Sequence, residues 1–283
     1  MTATTQAPDA LAGTRLSGVG IVRSEWVKLV TLRSTWWCLG VLAIVAAGLP
    51  PLIALALGAA GVTSAGPDDV YSMWMTVVTI PIGFSVLAAA VLGCLVITGE
   101  YGTGMIRSTM AAAPRRLSTL FAKSLVIGGA VFGVTLAALV IGTTLSGVVL
   151  SAFDIPTDAG DTRVWLSVVL GALYPALVAV FSTGVGTMLR NSAGSIAAVL
   201  GLLLVVPTIF QVIGGLLRAT WAFNVGAFLP SSLGSTMYSP FLGGGMPGSE
   251  VIALDPGQAT LALLGWVVLA LAGGAALIKS RDV

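Results

Sequence analysis

Six uninterrupted apolar runs, each of roughly 20 residues or more, decide what this chain can fold into. They cover 37–60, 74–98, 124–152, 164–189, 195–217 and 259–278. A helix of about 20 apolar residues crosses the hydrocarbon core of a bilayer. None of the runs shows the alternating polarity of a barrel strand. In lipid each segment must satisfy its own backbone N–H and C=O groups, so helix is the structure left to it. Charged residues make up only 8% of the chain, against roughly 25% in a soluble domain. The expected fold class is therefore all-α integral membrane, with six transmembrane helices. The third run is long enough to tilt or to project beyond the bilayer.

Basic residues set the orientation. Of the 13 Lys and Arg, Arg15, Arg23, Lys28 and Arg33 precede the first run, and Arg107, Arg115, Arg116 and Lys123 follow the second. Arg190 follows the fourth, and Lys279 and Arg281 follow the sixth. Only Arg163 and Arg218 fall on the other side, with Asp68, Asp69, Asp154, Asp158, Asp161, Glu250 and Asp255. Both termini are expected to be cytoplasmic, in the cell membrane. Residues 1–18 read as a disordered cytoplasmic tail, not a secretory leader, because they lack an apolar core. Residues 19–36 read as an amphipathic interfacial helix, 37–278 as the six-span domain, and 279–283 as a cytoplasmic tail.

Histidine is absent, and the two cysteines, Cys38 and Cys94, lie inside apolar runs without CxxC spacing. No catalytic, cofactor-binding or metal-ligating residue is expected. No Asp, Glu, Lys, Arg or His sits well inside any run, which weighs against a proton- or ion-coupled carrier. Residues 218–258 hold four prolines and the aromatics Trp221, Phe223, Phe228, Tyr238 and Phe241. A helix dipping into the outer leaflet and an aromatic-belt anchor account for them equally well.

Two basic segments remain. In "VGIVRSEWVKLVTLRS" (19–34), Val19, Val22, Trp26, Leu29 and Val30 fall on one arc of a helix. Ser24, Lys28 and Thr31 point away, Ile21 and Leu32 spoil the pattern, and Glu25 is spaced to pair with Lys28. The stretch suits either a helix lying on the cytoplasmic leaflet or a basic segment that fixes topology. In "GEYGTGMIRSTMAAAPRRLSTLFAKSL" (99–125), Gly99, Gly102 and Gly104 are expected to interrupt the helix leaving the second span. "MIRSTMAAA" follows as a short helix, Pro114 stops it, and Ser118 is placed to cap the third span, with Leu117, Leu120, Phe121 and Leu125 on its apolar side. Glu100 needs a partner at the membrane edge; Arg107 and Arg33 are the candidates.

"SEWVKLVTLRSTWW" (24–37), a span, and then "GEYGTGMIRSTMAAAPRR" (99–116) resemble the permease subunits of type-2 ATP-binding-cassette (ABC) exporters, actinobacterial members in particular. The resemblance implies a pre-span helix that cradles an ATPase, a coupling helix in the second connector, and re-entrant helices before the last span. It assigns ATPase docking to Glu25, Trp26 and Lys28, and to Glu100, Tyr101, Gly102, Thr103, Gly104, Arg107, Pro114, Arg115 and Arg116. It further implies a homodimer or heterodimer with a second permease in the lipid bilayer, and no nucleic acid. The chain carries no G-x-x-x-x-G-K-[ST] loop, so it is expected not to be an enzyme. It would bind no cofactor itself, and ATP and Mg would be used by a separate ABC ATPase. The expected function is the permease half of an ATP-driven exporter. The alternatives are an ATP-independent carrier and a non-transporting scaffold or immunity factor.

Overall fold

A computed structural model describes residues 18–61, 67–105, 116–155, 157–158, 160–239 and 252–280, with backbone alone for 67–70 and 116. The described residues form helices and no strand: α1 (Gly18–Thr31), α2 (Arg33–Ala59), α3 (Pro67–Thr103), α4 (Arg116–Ser151) and α5 (Thr162–Leu189). These are followed by α6 (Ser192–Leu217), α7 (Thr220–Ala227), α8 (Pro230–Tyr238) and α9 (Pro256–Ser280). Six of them, α2 to α6 and α9, are long and apolar enough to cross a membrane. The chain is an all-α, multi-pass membrane protein.

Helices α3 and α5 form the centre, packed on each other and flanked by α2, α4 and α9. They touch closely because Gly93 of α3 has no side chain: a Cβ there would overlap the Ala179 carbonyl of α5. Thr183 Oγ1 uses the same gap to donate to the Gly93 carbonyl at 3.2 Å. Such small-residue contacts drive helix association in lipid, where apolar burial supplies little. Helix α6 lies at the rim and is the least buried of the six. Pro207 follows a π-helical turn, Gly201–Val205, inside α6. The wider turn absorbs the clash and missing N–H that proline brings to a helix interior.

Two expectations about helix ends are corrected. The stretch 19–36 is not one helix: α1 ends at Thr31, Leu32 is extended (φ −79°, ψ 124°), and α2 starts at Arg33. The Thr31 hydroxyl donates back to Val27 and Lys28 carbonyls, and the Trp36 indole reaches the Val30 carbonyl at 2.7 Å, closing the corner. The second span does not break at Gly99 or Gly102. It stays helical to Thr103 and ends at Gly104, whose φ of +72° is left-handed. At 37 and 36 residues, α3 and α4 are each about 55 Å long and exceed a core of about 30 Å. Their surplus turns carry the site described below.

Helices α7 and α8 fold back into the bundle. Phe223 of α7 fills the space a Cβ on Gly214 of α6 would take, so the two helices run side by side. The Phe228 carbonyl at the α7–α8 corner accepts from Trp266 Nε1 at 3.0 Å, about 15 Å along α9. Gly234 of α8 lies so near the Tyr174 ring that a Cβ would collide with it; Tyr174 is about 18 Å along α5. Leu233, Met237 and Tyr238 are buried there. The pair thus packs against the bundle instead of projecting away from it.

Candidate functional site

Three helices bring four charged side chains together at the basic end of the bundle. Glu25 and Lys28 come from α1, Glu100 from the end of α3 and Lys123 from the start of α4. Lys123 Nζ lies 2.5 Å from Glu25 Oε2 and 2.8 Å from Glu100 Oε1. Lys28 Nζ lies 2.7 Å from Glu25 Oε1 and 3.1 Å from Glu100 Oε1. Glu25, Glu100 and Lys123 are only 3%, 4% and 3% exposed; Lys28 is partly open to solvent. The cluster is neutral in sum, two acids against two bases, which makes its burial tolerable.

Lys28 shows how the group balances. Burial works to lower its pKa, but the hydrogen bond to Glu25 and the field of Glu100 outweigh it, and the net shift is upward. Glu100 Oε2 is buried with no hydrogen-bond partner among the described residues. Beside it lies a cavity of about 10 Å³, lined by Glu25, Lys28, Leu29, Leu32, Glu100 and Lys123 among others. That volume admits one water molecule.

The arrangement fixes which side of α1 meets the bundle. Its buried side carries Glu25 and Leu29, while Trp26 is 51% exposed and Val19 and Val30 are also exposed. Lys123 supplies the reason: its ammonium draws Glu25 inward, which leaves Val19, Trp26 and Val30 facing away from the bundle. Trp26, Trp36 and Trp37 all stand exposed around the α1–α2 corner, where interfacial tryptophans anchor to lipid headgroups. On α4 the expected apolar side is likewise only partly buried: Leu120 is, Phe121 and Leu125 are not. Ser118 lies inside α4, which starts at Arg116, so it is not the cap. Glu100 pairs with Lys28 and Lys123; Arg107, the partner looked for along the connector, lies outside the described residues.

Of the remaining docking residues, Tyr101 is half-buried with the Arg190 guanidinium 5.2 Å from its ring centre. Gly102 and Thr103 are exposed, and Thr103 Oγ1 donates to the Gly99 carbonyl at 2.9 Å. Gly104 ends α3, and Arg116 begins α4. Pro114 and Arg115, like Arg107 and the short helix expected there, also lie outside the described residues. The sequence reading missed Lys123 as a site residue, because it was counted as connector charge. The available signal was its place between Ala122 and Ser124 at the head of an apolar run, where a cation requires a partner. It also missed the fourth connector, which joins the site through Arg190 and through Ser192, whose hydroxyl donates to Thr98 Oγ1 at 2.9 Å.

Among the described residues no acidic, histidine or cysteine side chains gather to hold a metal ion. No protein-family model matches the chain, and no curated protein is significantly similar to it.

Proposed function

We propose that this chain is the membrane-spanning permease subunit of an ATP-driven ABC exporter in the plasma membrane, forming half of a translocation pathway. Its basic end faces the cytoplasm and receives a separate ATPase subunit, with connector 104–115 as the coupling element. The buried charge cluster carries the reading. Glu25, Lys28, Glu100 and Lys123 tie α1 to the two helices that flank that connector. A push on the connector is thereby shared by the pre-span helix and both spans, instead of being lost in a flexible joint. The skewed distribution of Lys and Arg and the resemblance of segments 24–37 and 99–116 support the same assignment.

The test is recovery of the tagged chain from native cells in mild detergent after cross-linking. An ATPase with a phosphate-binding loop, in near-stoichiometric amount, is expected beside it. Recovery without any nucleotide hydrolase overturns the proposal.

A further inference from the structure

At the opposite end of the bundle, the start of α3, the last turns of α4 and the start of α5 enclose a pocket of about 280 Å³. That is near the small end of ligand sites, which run from about 300 to 1,000 Å³. Trp74, Trp165, Thr143, Thr144, Ser151 and Thr157 line it, and among the described residues no charged side chain does. Gly147 forms part of the wall. A Cβ there would rest 3.5 Å from Thr157 Oγ1 and 3.6 Å from the Trp74 ring, in ordinary contact, so the pocket exists partly because position 147 is empty of side chain.

Two hydroxyls of the wall share one sense. Thr144 Oγ1 donates to the Val140 and Ile141 carbonyls, and Ser151 Oγ donates to Val148. Their protons are committed to the helix, and their lone pairs stay open. Trp74 Nε1 is committed to Ser146 at 3.3 Å. Thr143 is fully buried, and its Oγ1 has no partner among the described residues. A buried hydroxyl left unpaired is costly, so its place in this wall points to a ligand. Thr144 and Ser151 thus accept, Thr143 can accept or donate, and the described wall adds indole surface without a charge.

A ligand that donates several hydrogen bonds and presents an apolar face fits this wall; a bare phosphate would be an uncompensated anion. On the membrane side of the pocket, Ile141, Leu145 and Val148 of α4 are exposed at i, i+4, i+7 spacing. They form an apolar stripe leading from the pocket along the helix, a track for a hydrocarbon chain. We infer that this pocket binds the neutral, hydroxyl-rich headgroup of a membrane lipid, with its chain laid along that stripe. The inference is independent of ATPase docking, which concerns the other end of the bundle.

The test uses the full chain in nanodiscs of phosphatidylglycerol with monoglucosyl diacylglycerol of the same acyl chains, read by native mass spectrometry. The wild type is expected to retain the glucosyl lipid about ten-fold over phosphatidylglycerol. Gly147→Leu fills the pocket and abolishes the preference. Thr143→Val removes one hydrogen bond and lowers retention about two- to twelve-fold. Equal retention of the two lipids by the wild type overturns the inference, as does a preference that survives Gly147→Leu. Should Gly147→Leu not fold, Thr143→Val decides alone: unchanged retention in that variant is the overturning result.

Discussion

The two ends of this bundle treat polarity in opposite ways, although α3 and α4 build both. At the basic end, charges are buried and closed on one another: four side chains share four ion pairs, and one carboxylate oxygen is left over. At the acidic end, about 30 Å along α4 from Lys123 to Thr143, the wall is uncharged among the described residues and its hydroxyls keep open lone pairs. A closed polar cluster holds a protein to itself; an open one holds something else. Substitutions that remove one polar group from each end should separate these roles.

The largest effect is expected from Lys123→Met. It strands Glu25 and Glu100 in a buried site with only the half-open Lys28 between them. Breaking a buried pair from one side costs about 3–5 kcal/mol, read as a lowered denaturation midpoint in mixed micelles. A loss under about 1 kcal/mol would mean that the basic end is no more closed than a surface ion pair.

Replacing all four together, with Glu25→Leu, Lys28→Met, Glu100→Leu and Lys123→Met, is expected to restore much of that loss. Neutral isosteres avoid desolvating any charge and end within about 1–2 kcal/mol of wild type, or above it. What should not return is the placement of α1, which then rests on Leu29 and its neighbours without a directional tie. Cross-linking between cysteines placed on α1 and α4 measures this. Undiminished cross-linking would show that packing alone positions α1.

How much of this was legible in the sequence follows from the same physics. Twenty apolar residues admit one structure in lipid, so the six spans could be read directly. The ends could not. Gly99 and Gly102 each weaken a helix by about 1 kcal/mol, but Glu100 between them is held by Lys28 and Lys123, and α3 stays helical to Thr103. The apolar arc of α1 was legible from its periodicity, but not that Glu25 faces the bundle, which a lysine 98 residues away decides. Lys123 itself was counted in the sequence for its sign, which sets topology, and not for its depth, which sets its partners. The pocket at the acidic end had no sequence signal, because its hydroxyls look like ordinary small residues of packed spans.

A smaller effect is expected from alkaline pH. The folded pKa of Lys28 lies above its unfolded value, so folding favours the protonated form. The stability this lends is whole below the unfolded value, near 10.4, and is lost as pH rises through the folded one. The difference in denaturation midpoint between wild type and Lys28→Met should stay level from neutral pH to about 10 and then narrow. A difference that widens there would reverse the sign of the balance drawn for the basic end.

The smallest effect is expected from Thr143→Val without added lipid. The Thr143 hydroxyl has no partner to lose among the described residues, and valine keeps its shape, so replacement should leave stability within about 0.5 kcal/mol of wild type or raise it. Lying about 30 Å from Lys123, the substitution should also add to Lys123→Met with a coupling below about 0.5 kcal/mol. A loss above about 1 kcal/mol would instead give the hydroxyl a structural bond, closing the acidic end in the same manner as the basic one and removing the opening into which a headgroup could donate. The same side chain thus separates the alternatives twice: silent in the empty protein, and felt only when a hydrogen-bond donor enters from the bilayer.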